Sequence, residues 1–361
     1  MKSPFPRGPA SGSAAFVKGF SAAFLGLLLL AELFCRWGSA QGIWYRHWDF
    51  TGNLVGAAEA GERLDWASRR GPWVLALGDS VLGPTSLLEN RRPNAKSSTL
   101  ARELDEAAGA SGQTVLSLGA DGILIPDLEG LVALAGRHSA PQQVLLILNA
   151  RMFAPQYRSG TQALSREFLQ PYLAGDRNGL SLPGWGDSAE RHWALFRVAQ
   201  LFKTLWYVPT QKAAIQRWLE SLGLGPADED LRLELLKRQI APFYDPAPWD
   251  ELSPPFQALD RLLEDVRGRG LPVLVAFSPQ NASFLGSDLD QAAFRRNRER
   301  LGGFIRARLA DPKDYLDLAE GWDPSLFLDH CHLTPEGNRK LASRLWAALP
   351  QRTADPGGHH E

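Results

Sequence analysis

The chain has 361 residues, a formal net charge of −1, two cysteines and 44% hydrophobic residues. That hydrophobic share suits a globular domain and is too low for a protein with many membrane spans. The near-neutral charge, with no long basic run, excludes a general field for nucleic acid, so no nucleic-acid partner is expected. The length suits one large domain with a short N-terminal element.

Residues 1–18 are rich in Pro, Gly and Ser and carry Lys2, Arg7 and Lys18. Residues 19–35 are apolar except for Glu32. A spanning helix needs roughly 17–25 residues, so this run is at the short end. Basic residues ahead of an apolar run place the N-terminus in the cytoplasm. The expectation is a cytoplasmic tail (1–18) and a signal anchor (19–35), with the rest extracytoplasmic, periplasmic or extracellular. A cleaved signal peptide is the alternative, since Gly38-Ser39-Ala40 offers small residues at a cut site. A buried soluble helix is the third reading. Cys35 and Cys331 are not expected to form a disulfide.

Residues 36–70 read as a linker or wrap segment with a short helix near 56–68. From residue 73 the pattern becomes βα. Trp73–Leu77 is a short apolar run ending in Gly-Asp-Ser, as for a strand buried in a parallel sheet. A helix over 97–109, a strand over 114–118, a helix over 126–137 and a strand over 143–148 follow. A helix over 254–268, strands over 271–277 and 314–318, and a helix over 335–348 complete the pattern. Alternating strands and helices predict an α/β fold with three α/β/α layers over residues 71–350.

The alternation stops over about 156–253, which reads as a helical insertion. Apolar residues at helical spacing predict helices over 190–206, 212–222 and 229–241. Packing on the sheet domain explains them, as does a lid or a membrane-facing or partner-facing surface. Residues 351–361 read as a disordered tail.

Sites of parallel α/β sheets form at the carboxyl ends of strands. The residues predicted there are Asp79 and Ser80 after the first strand, Gly119 after the second and Asn149 after the third. Asp329 and His332 lie just before the last helix. Acyl transfer needs a serine, a base for its proton, an acid to orient the base, and donors for the oxyanion. Ser80, His332 and Asp329 fit the first three needs, and spacing favours His332 over His330. The Ser80 and Gly119 N–H groups and the Asn149 side chain are candidate oxyanion donors. Asp79 is expected to bond backbone groups of its turn.

These residues resemble the four sequence blocks of the SGNH (GDSL-type) hydrolase superfamily: Gly78-Asp79-Ser80, Gly119, Asn149 and Asp329-x-x-His332. The third block departs from the family's Gly-x-Asn-Asp, reading Ile147-Leu148-Asn149-Ala150. The resemblance implies a Ser80–His332–Asp329 triad with an oxyanion hole of Ser80, Gly119 and Asn149. It implies a serine esterase or O-acyltransferase that needs no cofactor. No metal is expected, because Cys331 finds no second ligand cluster in the sequence. The apolar N-terminal run, the insertion and Phe277-Ser-Pro-Gln-Asn281 also look like the membrane-anchored branch of surface-polymer acylation. That branch includes the DltD-type proteins of teichoic acid alanylation and the AlgX/AlgJ-type proteins of alginate acetylation. It implies an acyl-ester or glycopolymer substrate and a membrane-bound acyl-transfer partner. The competing reading is a degenerate SGNH module that binds polysaccharide or scaffolds an envelope complex.

Overall fold

The computed structural model describes residues 11–41, 57–82, 99–119, 123–137, 140–154, 194–195, 198, 237–238, 240–286 and 289–349. Five parallel strands form one sheet in the order β2-β1-β3-β4-β5. They are β1 Trp73–Gly78, β2 Thr114–Gly119, β3 Gln143–Leu148, β4 Val273–Phe277 and β5 Tyr315–Asp317. The helices are α1 Ser11–Gln41, α2 Ala57–Ser68, α3 Leu100–Gly109, α4 Ile125–Ala135, α5 Pro254–Gly268, α6 Ala282–Leu285, α7 Gln291–Arg306 and α8 Pro335–Ala348.

The strands are apolar on both faces because both faces are covered. Leu75, Leu77, Leu146, Leu148, Val275 and Phe277 join a core with α2, α4, α5 and α7. Their neighbours Val74, Ala76, Leu145, Ile147, Leu274 and Ala276 join a second core with α3 and α8. The alternation follows from the two-residue period of a strand. Register carries the strand ends to one edge: Gly78 pairs with Gly119, Leu148 with Phe277, and Phe277 with Asp317.

Each expected strand forms, and the helices around them start at local signals. Thr99 caps α3 by accepting from the Arg102 N–H, and Thr334 caps α8 by accepting from the Gly337 N–H. Helix α7 was not expected from the sequence. The short helix expected near 56–68 is α2, which packs on β2 and α4.

Helix α1 starts before and ends after the expected 19–35 run. The prolines of the tail stop at Pro9, and Ser11–Lys18 holds helix-compatible residues. Ser21–Gln41, with mean hydropathy 1.4, is long and apolar enough to cross a membrane. The tail 351–361 and most of the insertion lie outside the described residues. Within the insertion, Ala194, Leu195, Val198, Lys237, Arg238 and Ile240 are helical, and Ala241–Tyr244 is a 3₁₀ turn.

Candidate active site

In this strand order the chain leaves β1 toward β2 and leaves β3 toward β4. This reversal lies at the carboxyl ends of β1 and β3, the place where open α/β sheets form their sites. Asp79 and Ser80 follow β1 in a turn closed by Leu82 N–H donating to the Asp79 carbonyl at 3.0 Å. The Val81 N–H donates to Asp79 Oδ1 at 3.2 Å, the backbone bond expected of this aspartate.

The third component arrives from the far end of the chain. Between β5 and α8, a loop is closed by Leu328 N–H donating to the His332 carbonyl at 2.7 Å. Asn281, beyond the end of β4, pins this loop. Its N–H donates to the His330 carbonyl at 2.7 Å, and its Nδ2 donates to the Asp329 carbonyl at 3.3 Å.

The loop brings His332 Nε2 to 2.9 Å from Ser80 Oγ, across 252 positions of sequence. His332 Nδ1 lies 2.7 Å from Asp329 Oδ2. An ionised carboxylate only accepts, so Nδ1 carries a proton, and when the ring is neutral Nε2 offers its lone pair to the serine. Asp329 is held in turn, because its Oδ1 accepts from the Cys331 N–H at 2.9 Å and the His332 N–H at 2.8 Å. Ser80, His332 and Asp329 therefore form one continuous relay. His330 adjoins the acid, its Nδ1 3.5 Å from Asp329 Oδ1, and its Nε2 lies 3.3 Å from the Cys331 sulfur.

Burial would raise the Asp329 carboxyl, but the adjoining His332 and His330 and the backbone donors hold it well below the usual carboxylate range. Burial disfavours the charged form of His332, but the Cys331 sulfur and the Asp329 carboxylate outweigh this and hold it well above 6.5.

The expected oxyanion donors have structural roles of their own. A Cβ on Gly119 would lie 2.5 Å from the Gly78 carbonyl oxygen, so close packing of β2 on β1 already requires glycine there. Asn149 caps the 3₁₀ turn Ala150–Phe153, accepting from the Met152 N–H at 3.4 Å. Its Nδ2 donates to Asp79 Oδ2. An amide nitrogen has two N–H donors, so this bond uses one of them.

By residue type, Asp329, His330, Cys331 and His332 could gather a metal ion, their ligand atoms lying within 4.8 Å of one another. The geometry does not favour it. Both His332 nitrogens face partners, and the Cys331 sulfur, 3.8 and 4.0 Å from them, lies on neither lone-pair axis.

Two supporting residues are given no role by the sequence. Asn281 ends the Phe277–Asn281 segment quoted for the resemblance, and asking which polar residue follows β4 would have pointed to its role. Arg151 lies 3.6 Å from Asp79 and donates to the Ile123 carbonyl at 3.0 Å; nothing in its sequence context marks it. Comparison with protein-family models gives no match, and comparison with curated proteins gives none either.

Proposed function

We propose that this chain is an SGNH-type serine esterase or O-acyltransferase of the cell envelope, acting on acyl esters of a surface glycopolymer. One observation carries the reading: the unbroken relay from Ser80 Oγ through His332 to Asp329. A serine, an imidazole and a buried carboxylate at these distances have the parts of a nucleophile, its base and the group that orients the base.

In this mechanism Ser80 Oγ attacks the ester carbonyl while His332 Nε2 takes its proton. Asp329 keeps the Nδ1 proton in place and stabilises the imidazolium. The oxyanion lies against the Ser80 N–H, the Gly119 N–H and the second N–H of Asn149. Collapse of the tetrahedral adduct breaks the ester C–O bond, and His332 returns the proton to the leaving alcohol. His332 then takes a proton from water or a sugar hydroxyl, whose oxygen attacks the acyl-serine; the acyl–Oγ bond breaks and His332 returns the proton to Ser80 Oγ. Water gives an esterase and a sugar hydroxyl gives a transferase.

The envelope location rests on Ser21–Gln41 acting as an anchor with the sheet domain outside the cytoplasm. A tether raises the local concentration of a substrate held near the same membrane, or of a membrane-bound acyl donor. The test is to delete the gene and measure ester-linked acyl groups on purified surface polysaccharide. Fewer esters support transfer and more support hydrolysis. Unchanged ester content in every polymer fraction overturns the glycopolymer assignment.

A further inference from the structure

Helix α1 changes character along its length. Leu25, Leu27, Leu29, Leu30 and Leu33 are exposed. Beyond them Cys35 and Ser39 are buried, and α1 packs against α2. Glu32, Cys35 and Ser39 share one face by helical spacing. Arg36 and Trp37 are exposed beside this face, as in residues that mark a membrane–water boundary.

Glu32 stands at that change. Its side chain is 13% exposed, and its Oε1 accepts from Arg36 Nε at 2.7 Å. The pair with Arg36 would account for a carboxylate at the rim of a membrane helix. It does not account for the other two bonds. The Ala194 N–H donates to Oε1 at 3.0 Å and the Leu195 N–H donates to Oε2 at 2.7 Å. Ala194 lies 162 positions away in sequence. Ala194 and Val198 are both buried. Charge-assisted bonds to two successive backbone N–H groups fix direction as well as distance.

We propose that Glu32 is a docking residue that fastens the backbone at Ala194 and Leu195 to the outer end of α1. The apolar helix is then a retained part of the mature fold and not a discarded leader. The joint sits at the level of the lipid headgroups, with the face from Phe24 to Leu33 in the hydrocarbon. The inference rests on the reading that α1 enters a membrane, and it is independent of the chemistry at Ser80.

The test uses the full chain in nanodiscs of phosphatidylethanolamine and phosphatidylglycerol, followed by amide hydrogen exchange. The Ala194 and Leu195 amides should exchange slowly. In Glu32→Ala they should exchange at least tenfold faster, while Gln143–Leu148 keeps its rate. Glu32→Gln, which retains one acceptor oxygen, should fall between the two. Equal exchange at 194–195 in wild type and Glu32→Ala overturns the docking. Should Glu32→Ala fail to accumulate, the intact mass of the wild-type chain from membranes decides. Retention of residues 19–41 supports the proposal, and a chain beginning at Gln41 overturns it. Fluorophosphonate labelling of Ser80 in the same samples keeps the two ideas apart. Loss of labelling with protected amides condemns only the enzymatic reading.

Discussion

Asn149 donates its side-chain amide to the Asp79 carboxylate, tying the carboxyl end of β3 to that of β1 beside Ser80. The same carboxylate accepts from the Val81 N–H at 3.2 Å, so one buried acid holds both the serine turn and a candidate oxyanion donor.

Asp79→Ala leaves the buried Asn149 amide and the Val81 N–H without this acceptor. A buried donor without its partner costs about 1–3 kcal/mol. The expected outcome is a melting temperature lower by several degrees, together with reduced turnover of a chromogenic acetyl ester. Calorimetry and kcat check it, and an unchanged melting temperature contradicts the tie.

Gly119→Ala places a methyl group 2.5 Å from the Gly78 carbonyl oxygen, where backbone must move. Overpacking of this kind costs about 1–3 kcal/mol. The shift falls at the end of β1, so activity is expected to fall along with denaturant resistance. Retention of both contradicts the close approach.

The pH dependence follows from the raised pKa of His332. The base works only when neutral, so a raised pKa moves the rise of activity to higher pH. Kcat/KM should climb with pH through a midpoint above the ordinary 6.5. Cys331→Ala removes a sulfur that holds the pKa up, so the midpoint should move down. Asp329→Asn should move it down too and lower kcat by about four orders of magnitude. His332→Ala should abolish the activity, while His330→Ala should retain a measurable fraction. A midpoint below 6.5 in the wild type contradicts the raised pKa, and full activity in His332→Ala contradicts the assignment of the base.

Orientation has its own test. Alkaline phosphatase fused after residue 60 is expected to be active, because the enzyme matures only outside the cytoplasm. Activity of a cytoplasm-only reporter at that position reverses the topology.

The relay was legible because each part follows a buried strand or precedes a capped helix, and apolar runs such as Gln143–Leu148 mark strands plainly. Helix α7 was hidden for a physical reason. Its inward face runs through Ala293, Phe294, Asn297, Arg298, Leu301, Phe304 and Ile305, so two central core positions are polar. Asn297 is buried because it accepts from the Trp249 N–H and donates to the Ala247 carbonyl. Arg298 is buried against Asp317 and Glu320. Those partners are distant in sequence, so the apolar period appears broken when read along the chain. The Glu32 contact with residues 194–195 was illegible for the same reason, because backbone donors carry no sequence signature.

The central claim is that Ser80 is a nucleophile activated by His332. The most direct measurement is labelling of the full chain by a serine-reactive fluorophosphonate, with the adduct located by peptide mass. The account predicts one adduct on Ser80, strongly reduced in His332→Ala and absent in Ser80→Ala, with parallel loss of acetyl-ester turnover. Labelling that persists in Ser80→Ala, or full turnover in that variant, contradicts it.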